Sequence, residues 1–261
     1  MRSIISIYVV LMVLCLCTSN EIFGVCRNME DERNLSARKC VAVDLFYSSP
    51  AKGNEELDIV GLILARGGSK GIPGKNLEKI QNQTLLHRTL EIMQRFGRFS
   101  SVWVSTDDRK IAEEAQSRGA YVHSQEFCSF HSGFQFLALV QCTSPFLRVK
   151  FLEQAYQLMV SRCYDSVFSV TREFKLRWMD DGGEVRPVNF DPGKRPRRQD
   201  WRGELVENGM FYFVRAELVG QGLLQGGRSG IVEVPKSHSL EVDTQFDLRL
   251  ARVLSKMLPH L

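Results

Sequence analysis

Three cationic side chains sit among four glycines in the eleven residues Arg66-Gly67-Gly68-Ser69-Lys70-Gly71-Ile72-Pro73-Gly74-Lys75-Asn76. Glycine lets a backbone approach phosphate oxygens closely, amide N–H groups give direction, and Arg66, Lys70 and Lys75 can neutralise the charge. The chemistry this suits is the holding of a nucleoside triphosphate. The run departs from the common P-loop, because Asn76 rather than Ser or Thr follows Gly74-Lys75 and Ser69 stands where the first glycine would be. A flexible basic surface turn is the plainer alternative. Its position directly after an apolar run and before a helical pattern argues against that alternative.

A bound triphosphate calls for a divalent cation, and Glu241-Val242-Asp243-Thr244-Gln245-Phe246-Asp247 offers carboxylates. Read as a strand end, Glu241 and Asp243 face the same side and can reach one Mg²⁺ directly or through water. Asp243-Thr244 also suits a helix cap, and Asp247 a first-turn carboxylate. Ser105-Thr106-Asp107 ends another apolar run, with Asp107 expected as the N-cap of the following helix. The histidines His87, His123, His131 and His238 have no partner at metal or triad spacing and are assigned no chemistry.

Elements that would position these groups can be read from periodicity. Ile59 to Ala65 is nearly continuous in apolar residues, as in a parallel strand buried on both faces. Leu85, Leu86, Leu90, Ile92 and Met93 recur at helical spacing and stop near Gly97. Strands are expected at Val102 to Val104, Tyr121 to Val122, Phe136 to Val140, Ser166 to Val170, Gly209 to Val214 and Ile231 to Val234. Helices are expected after Asp107, from Val149 to Val160 and from Thr244 to Leu258. The alternation predicts a Rossmann-like three-layer α/β sandwich with a mostly parallel sheet and ligands at the strand C-termini. Trp178 to Asn208 breaks the alternation and reads as an excursion from the sheet.

The chain has 261 residues, 44% hydrophobic and 25% charged, enough for one principal core. A formal net charge of +4 suits polyanionic ligands and does not call for nucleic acid. Arg2 precedes an uncharged apolar run from Ile4 to Cys17, followed by Thr18, Ser19 and Asn20. Too short for the roughly 20 residues of a membrane-spanning helix, residues 1–19 read as a signal peptide, with a signal anchor as the alternative. Residues 20–57 form a polar stem, and residues 58–261 the globular domain. After signal removal no stable membrane span is expected. Sequons at Asn34 and Asn82 fit a lumenal route. Cys26, Cys40, Cys128, Cys142 and Cys163 follow no metal-ligand spacing, so a Cys26 to Cys40 bridge and buried thiols both stay open.

Taken together, the Arg66 to Asn76 segment, Val104-Ser105-Thr106-Asp107, Gln141-Cys142-Thr143-Ser144-Pro145, Lys194-Arg195-Pro196-Arg197-Arg198-Gln199-Asp200-Trp201 and Glu207-Asn208-Gly209 resemble the N-acylneuraminate cytidylyltransferases, or CMP-sialic acid synthetases. The resemblance spans nearly all of residues 58–261. It implies a nucleotide-diphospho-sugar transferase-like fold, with Arg66, Ser69, Lys70, Lys75 and Asn76 holding CTP. Lys75 and Asp243 would be catalytic, with Mg²⁺ at Asp243 and Glu241. Arg198 and Gln199 would bind the acidic sugar; Gln141, Asn208 and Tyr212 match residues that contact it or lie beside it, and Lys175 and Arg177 are weaker candidates. A fork-shaped guanidinium suits the sugar carboxylate. The resemblance further implies CTP and sialic acid as substrates, a homodimer or dimer of dimers through the 178–208 excursion, and residence in the Golgi lumen.

Two departures stand out. The family pairs two aspartates where this chain has Glu241 and Asp243, which moves one carboxylate by a methylene. Between the third strand and Gln141 the chain is roughly 16 residues shorter than the resemblance leads one to expect, in the segment that would help hold the cytidine. Activation of another 2-keto-3-deoxy sugar acid, and a binding or regulatory protein with an impaired base pocket, are the alternatives.

Overall fold

The computed structural model describes residues 57–123 and 134–257. The expected signal segment, the stem, the Cys26 to Cys40 bridge and most of the shortened crossover after His123 lie outside the described residues. Among the described residues, no helix is long and apolar enough to cross a membrane.

A seven-stranded sheet forms the centre. Its strands are β1 (Ile59–Leu64), β4 (Ser101–Ser105), β5 (Tyr121–His123), β6 (Phe136–Val140), β7 (Ser166–Glu173), β10 (Glu204–Arg215) and β11 (Ser229–Glu233), ordered β11-β7-β10-β6-β1-β4-β5. β10 runs antiparallel to both β6 and β7, and every other neighbouring pair is parallel. Such a sheet places the C-terminal ends of β1, β4 and β6 side by side, where ligands of open α/β folds bind.

β1 and β6 have no polar face, since each is covered on both sides. Ile59, Ile63, Ala138 and Val140 pack with Leu86, Leu90 and Met93 of α1 (Leu85–Phe96), with Ile111 of α2 (Arg109–Ser117) and with Phe151 and Ala155 of α3 (Val149–Arg162). Val60, Leu62, Leu137 and Leu139 face the other way, against Val219 of the short helix α4 (Ala216–Gly220). A third cluster joins Ile72 of the glycine-rich segment to Val242 and to Leu248 and Ala251 of α5 (Gln245–Met257). That cluster fastens the glycine-rich segment and the carboxylate segment to each other through their apolar residues. Burying such side chains is worth roughly 1.5–3 kcal/mol apiece.

The excursion differs in detail from its sequence reading. It contains a two-stranded hairpin, β8 (Trp178–Asp180) with β9 (Val185–Pro187), but β10 has already rejoined the sheet at Glu204. Residues 204–208 therefore belong to the core sheet. A further small hairpin, β2 (Lys79–Ile80) with β3 (Gln83–Thr84), carries no periodic signal because each strand is two residues long.

Candidate active site

The glycine-rich segment leaves the end of β1 and closes in a 3-10 turn at Lys75–Leu77. Asn76 is buried and holds the segment shut: its amide nitrogen donates to the Arg66 carbonyl at 3.0 Å, and its Oδ1 accepts from the Cys142 thiol at 3.1 Å. Burial pushes the Cys142 thiol up to about 12, so it stays protonated and serves as a donor. Asn76 thus ties both ends of the glycine turn to the tip of β6. Arg66 and Lys70 are exposed at the mouth of the turn, with the Ser69 amide turned back to the Gly67 carbonyl.

Asp107 does not cap α2. Asp108 takes that role, accepting from the Lys110 and Ile111 amides at 2.8 and 3.1 Å, and Asp107 Oδ1 instead accepts from the Gly67 amide at 2.6 Å. The chain reaches α2 one residue later than the Asp107 reading requires, because Asp108 is still extended. Two consecutive aspartates after a strand were the available signal for a cap plus a second function.

Lys75 and Asp243 meet across 168 residues of sequence, Nζ to Oδ1 at 2.8 Å, with the lysine side chain only 16% exposed and the aspartate 62%. Gly71 lies against the Asp243 carbonyl so closely that a Cβ there would overlap it. The 241–243 stretch is an extended loop rather than the strand end expected from sequence, since it pairs with no strand. The Val242 amide donates to the Thr143 carbonyl at 2.8 Å, and the Asp243 amide donates to Asp247 Oδ2 at 3.2 Å. With Val242 buried, Glu241 and Asp243 still flank the same site. Asp247 is occupied elsewhere: its Oδ2 accepts from the Thr244 amide and hydroxyl at 2.8 and 2.7 Å, while Thr244 Oγ1 accepts from the Asp247 amide at 3.3 Å, a capping box that starts α5. Thr244, not Asp243, is the cap, which leaves Asp243 to Lys75.

Glu241 is less well satisfied. Its Oε1 accepts only a long 3.4 Å bond from the Thr143 hydroxyl, and burial together with the neighbouring Asp243 raises its carboxyl above the ordinary range. Two carboxylates share one lysine, a shortage of positive charge that a hard dication fits. Among the described residues, no group of three or more His, Cys, Asp and Glu side chains forms a complete metal cage. Mg²⁺ does not need one, because waters and phosphate oxygens commonly complete its shell beside one or two carboxylates.

The Glu207-Asn208-Gly209 motif falls on an irregularity in β10, where register against β7 shifts between Glu207 and Tyr212. Gly209 adopts φ 71°, a left-handed backbone that favours glycine, and faces the Glu241 carboxylate. On the β6 side the pairing stays regular, and the Gln141 amide donates to the Met210 carbonyl at 3.0 Å one residue beyond Val140, which brings Gln141 and Asn208 to the same end of the sheet. Asn208 Nδ2 donates to Thr171 Oγ1 at 3.0 Å. Tyr212 donates its phenol to Glu207 Oε2 at 3.1 Å; burial and that carboxylate raise the phenol well above its ordinary value, so it stays a donor.

Arg198, Gln199 and Lys175 stand apart on the exposed arm. No hydrogen bond or ion pair among the described residues joins them to the glycine turn. The Arg198 guanidinium lies over the Phe174 ring at 4.9 Å, and Arg177 is spent on a two-pronged pair with Glu204 at 2.7 and 2.8 Å. Thr143 and Cys142, which link β6 to Glu241 and Asn76, are the positioning residues that sequence reasoning did not single out individually.

Comparison with known proteins places this geometry in a family. Residues 60–250, from β1 into α5, match the family model described as cytidylyltransferase. N-acylneuraminate cytidylyltransferase A of Danio rerio is 40% identical over 224 residues, covering 78% of this chain and 52% of that protein. N-acylneuraminate cytidylyltransferase of Oncorhynchus mykiss is 38% identical over 217 residues, covering 76% and 50%. The chain spans about half the length of the curated relatives it matches. Among solved structures, CMP:2-keto-3-deoxy-manno-octonic acid synthetase complexed with CTP aligns with a TM-score of 0.57 at 18% identity, covering 78% of this chain and 100% of that one. The 4-diphosphocytidyl-2C-methyl-D-erythritol synthase of Anaerococcus prevotii aligns with the same score at 13% identity, over 77% and 100%. At these identities the structural likeness carries the fold. With the family model covering the sheet, the glycine turn and the carboxylate loop alike, the chain belongs to the cytidylyltransferase family.

Proposed function

We propose that the protein transfers a cytidylyl group from CTP to a sialic acid, giving CMP-sialic acid and pyrophosphate. The observation that carries this reading is the Lys75–Asp243 pair at the mouth of a glycine turn, with Glu241 beside it. It fits what the zebrafish and trout relatives are named for.

In this reaction the anomeric hydroxyl oxygen of the sugar bonds to the α-phosphorus, the bond from that phosphorus to the bridging oxygen breaks, pyrophosphate leaves and the hydroxyl proton is released. Negative charge builds on the phosphate oxygens, and preorganised cations stabilise it. Arg66 and Lys70 would hold the triphosphate, and Lys75 would meet the developing charge. Asp107 fixes the turn through Gly67, and Asn76 locks its two ends. Glu241 and Asp243 would hold Mg²⁺, which when bound neutralises phosphate oxygens. Gln141, Asn208 and Tyr212 would line the sugar side, and Arg198 with Gln199 would engage the sugar carboxylate from the arm.

The homodimer or dimer of dimers is part of this proposal, supported by the apolar side chains Trp178, Met179 and Val185, which are exposed on the excursion. Entry into the secretory pathway and Golgi residence rest on the apolar N-terminal run and the sequons. Asn82 is exposed at the tip of the β2–β3 hairpin, which suits an acceptor. Incubating purified protein with CTP, Mg²⁺ and N-acetylneuraminate and measuring pyrophosphate tests the activity. No release above a Lys75→Met control, with 3-deoxy-octulosonate equally inert, would reject it. Glycosidase sensitivity of the expressed chain tests the compartment.

A further inference from the structure

Away from the glycine turn, a cavity of about 130 Å³ lies between α1 and the Ser144 to Arg148 loop that leads into α3. None of its lining residues is assigned to the nucleotide or the sugar. Arg88, Arg95 and Arg148 line it, against Glu91 as the one acidic lining residue. Arg88, Glu91 and Arg95 recur at helical spacing, so α1 turns one charged face to the cavity.

The donors there are in surplus. Arg88 Nε and Arg148 Nη2 are buried without a hydrogen-bond partner. Arg88 is attracted by Glu91 and reaches from Nη1 to Gln83 Oε1 at 3.5 Å, while Gln83 already donates to Glu91 Oε2 at 2.8 Å. Burial and the neighbouring Arg88 and Arg95 depress the Arg148 guanidinium below its ordinary value, so Arg148 is repelled by both. Arg148 also occupies the N-cap of α3 without capping it by a side-chain hydrogen bond. Buried charged donors without acceptors are costly unless a ligand meets them.

We propose that this cavity is a second anion site, separate from the triphosphate cradle, that takes a small phosphate-class oxyanion such as inorganic phosphate or pyrophosphate. Guanidinium forks pair with such oxygens through two parallel bonds, and a tetrahedral multiply charged anion can answer three of them at once. The cavity is lined mainly by polar and charged side chains.

The test is thermal unfolding of the full chain in phosphate or pyrophosphate against chloride at matched ionic strength, without CTP or Mg²⁺. A near-saturating anion should raise Tm by on the order of 5 °C. The rise should vanish in Arg88→Gln/Arg148→Gln and persist in Lys75→Met. Relief of the repulsion should leave the double variant at least as stable as the parent in chloride. If it fails to fold, Arg95→Gln serves instead and should weaken anion affinity about tenfold. Either anion meeting these conditions supports the site, and the tighter one identifies the ligand. A rise that survives the arginine substitutions, disappears with Lys75→Met, or is absent from the parent protein overturns it.

Discussion

Replacing Lys75 by Met separates the site's chemistry from its contribution to the fold. Methionine keeps the length and packing of a side chain that is only 16% exposed but removes the ammonium that sits 2.8 Å from Asp243. Because Asp243 is 62% exposed, solvent screening limits what the pair gives stability to about 1 kcal/mol. For a domain of this size that is a Tm loss of about 2–4 °C. The effect on turnover should be far larger. A preorganised donor or cation aimed at developing charge is worth roughly 10²–10³ in kcat, about 3–4 kcal/mol of transition-state stabilisation. Pyrophosphate release under saturating CTP, sialic acid and Mg²⁺, measured beside thermal unfolding, reads both quantities on one preparation. Asp243→Asn removes the same ion pair and leaves the ammonium in place, so it should match the small stability loss while differing in its Mg²⁺ dependence. A Lys75→Met protein that folds and turns over within about fivefold of the parent would remove Lys75 from the chemistry.

Three other perturbations bear on the site. Glu241 has a raised carboxyl in the folded state, so its ionisation opposes folding: the associated stability is full below the ordinary carboxylate range and is lost as pH rises through the folded value. Glu241→Gln should therefore raise the Tm of the ligand-free protein by a few degrees at neutral pH, with the gain shrinking on acidification, and should weaken Mg²⁺-dependent CTP binding; unfolding scans from pH 4 to 8 check this. Asp107→Asn weakens a charge-assisted bond to Gly67 and should raise the Kd for CTP about tenfold with little change in Tm, as read by calorimetry. Gly71→Ala places a methyl against the Asp243 carbonyl and should cost about 1–3 kcal/mol by denaturant unfolding while lowering CTP affinity, since the carboxylate loop must move aside.

Much of the site was legible before folding. A glycine turn with cations needs its residue types in consecutive order, so Arg66 to Asn76 could be read as a candidate phosphate site from sequence order alone. Unbroken apolar runs likewise gave β1 and β6, because a strand covered on both faces has no polar positions. Hairpins of two-residue strands and the five-residue α4 were illegible, as they complete no period.

Partnership was settled only in three dimensions. That Lys75 meets Asp243, that Cys142 reaches Asn76 and that Asp107 serves Gly67 instead of α2 depends on strand order, which sets distant segments side by side. The arginines of the α1 cavity show the same division. Sequence fixed their charges and helical spacing, but only packing of the Ser144 to Arg148 loop against α1 buries their nitrogens without acceptors. Composition and periodicity are properties of a chain read in one direction, whereas a site is a set of contacts between residues that the sheet folds together.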